Sequence, residues 1–315
     1  MKLDLLVKDP TVRGALALFP VFSSSPVAPG YLTGPEADAA DLLTVGEHDA
    51  GATVPELVVH NTAKSPVLLV EGETLLGAWQ NRTLNVSVLV PAGGKLTIPV
   101  TCVEAGRWND TQPMGRSGRH APSDLRRLKT ASVNAARADG FGTVSDQGAV
   151  WDRIRGYEAD LSVPSPTHAL DDMYREVQPD LDAAVDGLEP AADQCGVVVA
   201  IGGKVCGTDI FDKRSTLAAY WAGLLAGYAV DALRQDAGAG SLADAESFVA
   251  RVLDASDVSE RAVGMGHDHA LTSDSVSGHA LEWEGAIVHL AAFATEPGRD
   301  AVRTRVIDRR HWIAS

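Results

Sequence analysis

The sequence predicts an α+β fold, and three features of the chain indicate it. Residues 54–104 contain several short apolar runs joined by Gly turns, a pattern typical of a sheet-rich lobe. Residues 123–188 carry helical patterns, and the chain then returns to strands around one long apolar helix. We expect a β-sandwich-like lobe over 1–110, a helical segment over 111–192, and a C-terminal α/β segment over 193–315 that returns to the sheet, or one integrated domain.

The first elements alternate between strand and helix. Residues 14–22 are apolar and are bounded by Gly and a Ser/Pro cluster, which predicts a first strand. A short helix is predicted within 31–48, with Pro35 at its start, because proline is favoured in the first helical turn.

The β segment is the clearest local pattern in the chain. ELVVHN reads as one strand, and the runs on either side of Glu71-Gly72 predict a hairpin. Residues 82–91 alternate and predict one strand, which has four apolar residues on one face: Leu84, Val86, Val88 and Val90. Arg82 shares their parity, so its side chain is expected inside and paired with Glu71, Glu73, Glu104 or a bound phosphate.

The remaining elements follow from caps and turn residues. Residues 105–122 read as a polar loop, and Ser123 begins the first of the middle helices. CGVVVAI and KVCGTDIF predict a hairpin around Gly202-Gly203. Residues 215–235 form an almost entirely apolar helix, which predicts the most buried one, and the chain closes with AESFVARVLDA as a helix and two strands.

Composition limits the classes of function. Lys and Arg total 27 against 42 Asp and Glu, which gives a net charge of −15 and disfavours nucleic acid as a partner. We find neither a signal peptide nor a stretch of about 20 apolar residues, so a cytoplasmic protein without a membrane partner is expected. The three cysteines, Cys102, Cys195 and Cys206, are predicted to be reduced thiols.

The residues that could carry chemistry concentrate in the β segment. Gln80, Asn81 and Arg82 lie between two apolar runs. They either bind a ligand or mark a polar strand crossing in which Arg82 forms a structural ion pair. Glu104, Arg107 and Trp108 close the same region, either as a charge pair beside a stacking platform or as a capped sheet edge. Glu104 is the general acid/base candidate, and the other five are candidate ligand-binding residues.

Two further groups flank the helices. Asp209 follows a strand and precedes the long helix, which makes it a ligand-binding candidate, whereas Asp212 suits a helix cap. A local basic cluster either meets an anion or forms a solvated face, the more usual outcome; its members are Arg116, Arg119, Arg126, Arg127 and Lys129.

No cofactor or metal is predicted. The only metal-like pattern is the pair His267 and His269 together with His279 and His289, but no third ligand has diagnostic spacing. P-loop, GxGxxG and GxSxG motifs are absent, which removes kinase, dinucleotide dehydrogenase and α/β-hydrolase interpretations.

Several segments together resemble a known uncharacterised family, the ADP-ribosylglycohydrolase- and rhodanese-phosphatase-associated family. They are LFPVF, ELVVHN, LLVEGETLLGAWQNRTLNVSVLVPAG, IPVTCVEAGRW, GTDIF and the closing GHAL and VHLAAF. The resemblance implies a link to ADP-ribose or related nucleotides in stress or conflict systems, by association only.

We therefore rank three candidate functions, starting with the one that the sequence favours most. The first is recognition or processing of a small phosphorylated ligand, such as an ADP-ribose-type nucleotide, at Gln80–Trp108. The second is a non-catalytic binding or assembly module, in which the same polar groups pair with each other. The third is a His-based metal hydrolase. The sequence specifies no oligomeric state.

Overall fold

The computed structural model describes residues 3–49, 51–109 and 112–295, and it confirms the α+β class. The helices are α1 Gly34–Ala39, α2 Ser123–Ala138, α3 Gln147–Leu161, α4 Leu170–Glu176, α5 Gln178–Val185, α6 Arg214–Ala232 and α7 Leu242–Asp254. The strands are β1 Leu5–Val7, β2 Thr11–Arg13, β3 Leu16–Ser23, β4 Leu32–Thr33, β5 Leu43–Gly46, β6 Glu56–Asn61, β7 Val67–Leu69, β8 Glu73–Leu76, β9 Arg82–Leu84, β10 Val88–Val90, β11 Lys95–Cys102, β12 Gly115–His120, β13 Gly196–Ile201, β14 Lys204–Phe211, β15 Ser256–Arg261, β16 His267–Ser273, β17 Val276–Trp283 and β18 Ala286–Ala294.

The largest sheet joins both ends of the described chain. Its order is β1-β3-β13-β14-β18-β17-β16-β15, and β2 also pairs with β3. The C-terminal strands therefore return to the sheet of the N-terminal strands, as predicted. The last part of the predicted C-terminal segment, residues 296–315, lies outside the described residues.

Two smaller sheets hold the middle of the N-terminal region, with the orders β10-β7-β4 and β12-β8-β9-β11-β6-β5. They show that the predicted hairpin at Glu71-Gly72 is wrong. The turn is present, but β7 pairs with β4 and β10, whereas β8 pairs with β9 and β12. The chain thus changes sheets at Glu71, which local pattern cannot reveal because both runs are equally apolar.

The single strand predicted over 82–91 is also wrong. It is broken between β9 and β10, which belong to different sheets. The break is stabilised by polar side chains: the Asn85 amide donates to the Thr143 carbonyl at 3.0 Å, and Ser87 Oγ lies 2.7 Å from His289 Nδ1. Because both faces are buried, alternation did not distinguish a continuous strand from a crossing.

The predicted polar loop over 105–122 contains a strand, β12, which pairs with β8. This strand packs on α6 at unusually short range. A Cβ built at Gly223 would lie 2.5 Å from the Gly118 carbonyl oxygen, and one at Gly227 would lie 2.8 Å from that of Ala121. This strand was not predicted, because its residues are mostly polar and the prediction relied on alternating apolar residues.

Helix α6 is buried as predicted. Leu217, Tyr220, Leu224 and Tyr228 are almost fully inaccessible, and the Trp221 indole donates to the Leu188 carbonyl at 2.6 Å. Among the described residues, no helix is both long and apolar enough to cross a membrane.

Candidate functional site

The predicted polar set of 80–108 does come together, around the Glu104 carboxylate. This carboxylate accepts hydrogen bonds from the Asn81 backbone N–H at 3.1 Å, the Thr167 hydroxyl at 3.0 Å and the Arg107 guanidinium at 2.7 Å. Burial alone would raise the pKa of Glu104, but these three donors outweigh it and the pKa is lowered. Glu104 is thus a stabilised anion, which makes it a poor general acid.

Gln80 and Arg82, from the same predicted set, also form hydrogen bonds within the protein. Gln80 donates to the Glu104 carbonyl at 2.9 Å and accepts from the Arg82 guanidinium at 3.3 Å and from the Cys102 thiol at 3.0 Å. Arg82 also donates to the Val54 carbonyl at 3.2 Å. These polar groups are therefore largely engaged by one another.

Arg82 points inward as predicted and is fully buried. The carboxylate expected to pair with it was wrong, however, because Glu47 approaches it, at 4.0 Å, and not Glu71, Glu73 or Glu104. Glu47 follows β5, a distant strand of the same sheet, so no local spacing indicates the pair. Trp108 covers this region: it is 43% exposed, and its ring lies 5.8 Å from the Arg82 guanidinium and 5.4 Å from the ring of Trp79.

Asp209 lies in a different place, inside a buried ionic network. It accepts both hydrogen bonds of a two-point pair from Arg126, at 2.6 and 3.0 Å, and another from the Tyr228 hydroxyl at 2.7 Å. Arg126 also donates to Glu71 at 2.9 Å, and Lys129 donates to the same carboxylate at 2.5 Å. Burial opposes ionisation of Asp209 and Glu71, but the adjacent cations hold the pKa of both well below the usual range.

The solvated basic face predicted around these cations is therefore wrong for three of its members. Arg126 and Lys129 are fully buried, and the Arg116 side chain is only 5% exposed. Carboxylates from the sheets draw these cations inward, and those carboxylates lie far away in sequence.

The His267/His269 pattern lies on β16, where His267 is exposed and His269 is buried. His269 lies 2.8 Å from Asp257 and 3.2 Å from Glu282, so both of its ring nitrogens already face carboxylates. Within the described ranges, no group of three or more His, Cys, Asp or Glu side chains is arranged to hold a metal ion.

A cleft of about 360 Å³ lies where β8 and β12 meet α1 and α6. The strands contribute Glu73, Arg116, Ser117, Gly118 and His120, and the helices contribute the rest. The helix residues are Pro35, Asp38 and Ala39 of α1, and Ala219, Tyr220, Ala222 and Gly223 of α6.

Several buried polar atoms next to the cleft make no hydrogen bond within the described residues. Arg116 forms a short ion pair with Glu73 Oε1, and both side chains are almost completely buried. Within the described part of the chain, four buried atoms here have no hydrogen-bond partner: Glu73 Oε2, Arg116 Nε and the two ring nitrogens of His120. These four atoms are themselves inaccessible to solvent, so they lie behind the surface of the cavity and not on it.

Electrostatics fix the protonation states of this wall. Burial, followed by repulsion from Arg126, lowers the pKa of His120 well below its ordinary value, so the imidazole is neutral. Burial raises the pKa of Tyr220 to about 12, and its hydroxyl donates to the Leu68 carbonyl at 2.5 Å. The cleft is thus formed by one ion pair, one neutral imidazole and one hydroxyl held by the backbone.

Sequence reasoning did not select this site. Glu73 was named only as a partner for Arg82, Arg116 only as a member of the basic cluster, and His120 not at all. The missing signal is the pairing of β8 with β12, two short strands about 40 residues apart, one of which had been interpreted as a loop.

Residues 4–293 match the model of the ARG and Rhodanese-Phosphatase-superfamily-associated Protein domain family. The chain belongs to this family, as its resemblance indicated. No curated protein and no solved structure matches the chain.

Proposed function

We propose that this member of the family binds a small, hydroxyl-rich ligand of the sugar or ribose type in the cleft between β8, β12, α1 and α6. The observation that carries the proposal is a cleft of about 360 Å³ whose strand wall is lined by the polar residues Glu73, Arg116, Ser117 and His120. A hydroxyl group both donates and accepts, so neighbouring hydroxyls can satisfy a carboxylate oxygen, a guanidinium N–H and an imidazole together.

The charges of the cleft favour hydroxyls over phosphate as the buried part of the ligand. Arg116 is the cation among the described lining residues, and it is already paired with Glu73. Asp38 is exposed at the rim and repels anions. A nucleotide of the ADP-ribose type would therefore place a ribose in the cleft and its phosphates in solvent at the mouth.

Titration calorimetry with ribose, adenosine, AMP and ADP-ribose tests the proposal. Ala222 is exposed and lines the cleft, so Ala222→Phe should fill the cavity and abolish binding without disturbing the core. Ala218→Phe is the matched control, because Ala218 is exposed one turn earlier on α6 and outside the lining. Absence of heat with all four ligands, or equal binding by both variants, contradicts the proposal.

A non-catalytic assembly role is the second candidate. It is supported by the hydrogen bonds and the ion pair that join four residues to one another: Gln80, Asn81, Glu104 and Arg107. In this role the four residues connect segments of the protein and do not bind a ligand. Under this proposal Arg107→Ala should lower stability and leave ligand binding in the cleft unchanged.

A further inference from the structure

Two tryptophan side chains, Trp79 and Trp108, form an aromatic corner beside the polar set of 80–108. Trp108 is 43% exposed, which makes it the bulkiest exposed apolar side chain of the described residues, and Trp79 is half-buried. Their ring centroids lie 5.4 Å apart, and the ring planes are tilted by 53°. Neither ring lines the cleft between β8, β12, α1 and α6. The Trp108 ring is open to solvent, so a ligand can reach it.

Hydrogen bonds fasten the two segments that carry the aromatic corner. The guanidinium of Arg107, the neighbour of Trp108 in the chain, donates to the Ala78 carbonyl at 2.5 Å, and Ala78 directly precedes Trp79. The Asn109 backbone N–H donates to the Trp79 carbonyl at 3.3 Å. Ala78 has a φ of 44°, a left-handed conformation that a residue with a Cβ rarely adopts. Such strain persists only where the surrounding contacts enforce it, and it concentrates at binding sites.

The polar side chains beside the aromatic corner are engaged within the protein. The Arg107 guanidinium donates to Glu104 at 2.7 Å, to Asn81 at 3.1 Å and to backbone carbonyls. Glu104 accepts two further hydrogen bonds, and its side chain is only 6% exposed. A hydroxyl-rich ligand needs polar groups that can bind its hydroxyls, and these groups are already paired. Recognition at the aromatic corner therefore depends on the indole surfaces themselves.

Charge favours a neutral ligand at this surface. The buried Arg82 guanidinium lies 5.8 Å from the centroid of the Trp108 ring, so a cation already faces this indole from the interior. A second cation on the outer face would meet a ring whose negative face is already used by Arg82, and it would be repelled by the like charge. The net charge of −15 repels anions. An uncharged ring is the ligand that neither effect opposes.

We propose that the aromatic corner binds a neutral, planar heteroaromatic ring, such as a purine base, by stacking on the exposed face of Trp108. Stacking needs only a free aromatic surface, and every nucleobase has a face of this kind. Arg107, Glu104 and Asn81 are then positioning residues, because they join the two segments that carry the indoles and do not touch the ligand. This site is independent of the sugar-binding proposal, which concerns the cleft.

Titration with adenine, followed through the indole N–H signals in proton–nitrogen correlation NMR spectra, tests the proposal. Adenine carries no hydroxyl group, so it does not report on the cleft. A stacked base should shift the indole signals of Trp79 and Trp108, which variants at the two positions identify. Trp108→Ala should raise the dissociation constant roughly 5- to 150-fold, the loss expected from removal of a base–aromatic stack. Trp108→Phe should retain part of the affinity, because it keeps an aromatic ring.

Two control variants separate this site from the rest of the protein. Val258→Ala removes a side chain that is 62% exposed on β15 of the largest sheet, and it should leave adenine binding unchanged. Ala222→Phe fills the cleft and should also leave it unchanged, so this inference and the sugar-binding proposal can fail separately. Methyl β-glucoside and tetramethylammonium are the hydroxyl-rich and cationic comparison ligands. Absence of indole shifts with adenine, equal affinity in Trp108→Ala, or tighter binding of either comparison ligand overturns the inference.

Discussion

Arg126 of α2 donates to both carboxylate oxygens of Asp209 on β14, at 2.6 and 3.0 Å, with both residues fully buried. The pair fastens a middle helix to the largest sheet. Removal of one partner from such a pair leaves an uncompensated charge in the interior, whereas the intact pair offsets its own desolvation.

Asp209→Ala should therefore lower the free energy of unfolding by about 3–5 kcal/mol, because Arg126 loses its principal partner. Chemical denaturation checks this. Asp124→Ala is the control: this carboxylate is partly exposed on α2 and pairs with the partly exposed Arg127 and Arg153, so a loss of about 1 kcal/mol or less is expected. Similar losses for the two variants would contradict the role of the buried pair.

Trp221→Ala should cost about 3–5 kcal/mol, since it truncates a buried aromatic side chain and removes the donor to the Leu188 carbonyl. Leu233→Ala is the control at the C-terminal end of the same helix, where the side chain is 36% exposed, and it should cost much less. An unchanged denaturation midpoint for Trp221→Ala would mean that α6 is peripheral.

Gly223→Ala should destabilise the protein and distort the cleft, because the added methyl would lie 2.5 Å from the Gly118 backbone oxygen. Gly156→Ala in α3 is the matched helical control, where the nearest atom to the added methyl is 3.9 Å away. That change should be neutral or should stabilise by up to about 1 kcal/mol, the helix preference of alanine over glycine. Melting temperatures of the two variants should move in opposite directions or differ clearly.

Arg82→Ala should lower stability by about 3–5 kcal/mol, because it removes a fully buried side chain, the half-buried Glu47 loses its cation, and the oxygens of Val54 and Gln80 lose a donor. Ligand binding in the cleft should persist in the folded fraction. Lys95→Ala removes an exposed partner of Asp49 and serves as the control, with little change expected. Loss of binding at unchanged stability would instead make Arg82 a ligand residue.

Stability should fall on acidification in two stages. The folded pKa of His120 lies well below its ordinary value of 6.5, so the unfolded state takes up more protons and stability declines as the pH falls below about 6.5. Glu71 and Asp209 have lowered folded pKa values, so their contribution is present above their ordinary values of 4.5 and 3.8 and is lost as the pH falls further. Denaturation between pH 8 and 3 checks this, and His120→Asn should weaken the upper stage without removing it, because burial also lowers the pKa of His289.

The sequence by itself determined the α+β class, the buried helix α6, and the inward direction of Arg82. These follow from local rules: hydrophobic period, turn glycines and the pleat of a strand. The convergence of Asn81, Glu104 and Arg107 was also predictable, since antiparallel strands bring such residues to one end of a sheet.

Only the tertiary structure decided which charges meet. Glu71 and Glu73 are two residues apart, yet the sheet change between β7 and β8 sends the first to Arg126 and the second to Arg116 and the cleft. The pairing of Glu73 with His120 depends on the β8–β12 register, which joins residues 47 positions apart and leaves no trace in either segment. Hydrophobic patterning specifies which residues are buried, but the identity of each buried ionic partner is fixed by long-range strand pairing, which single-sequence periodicity does not encode.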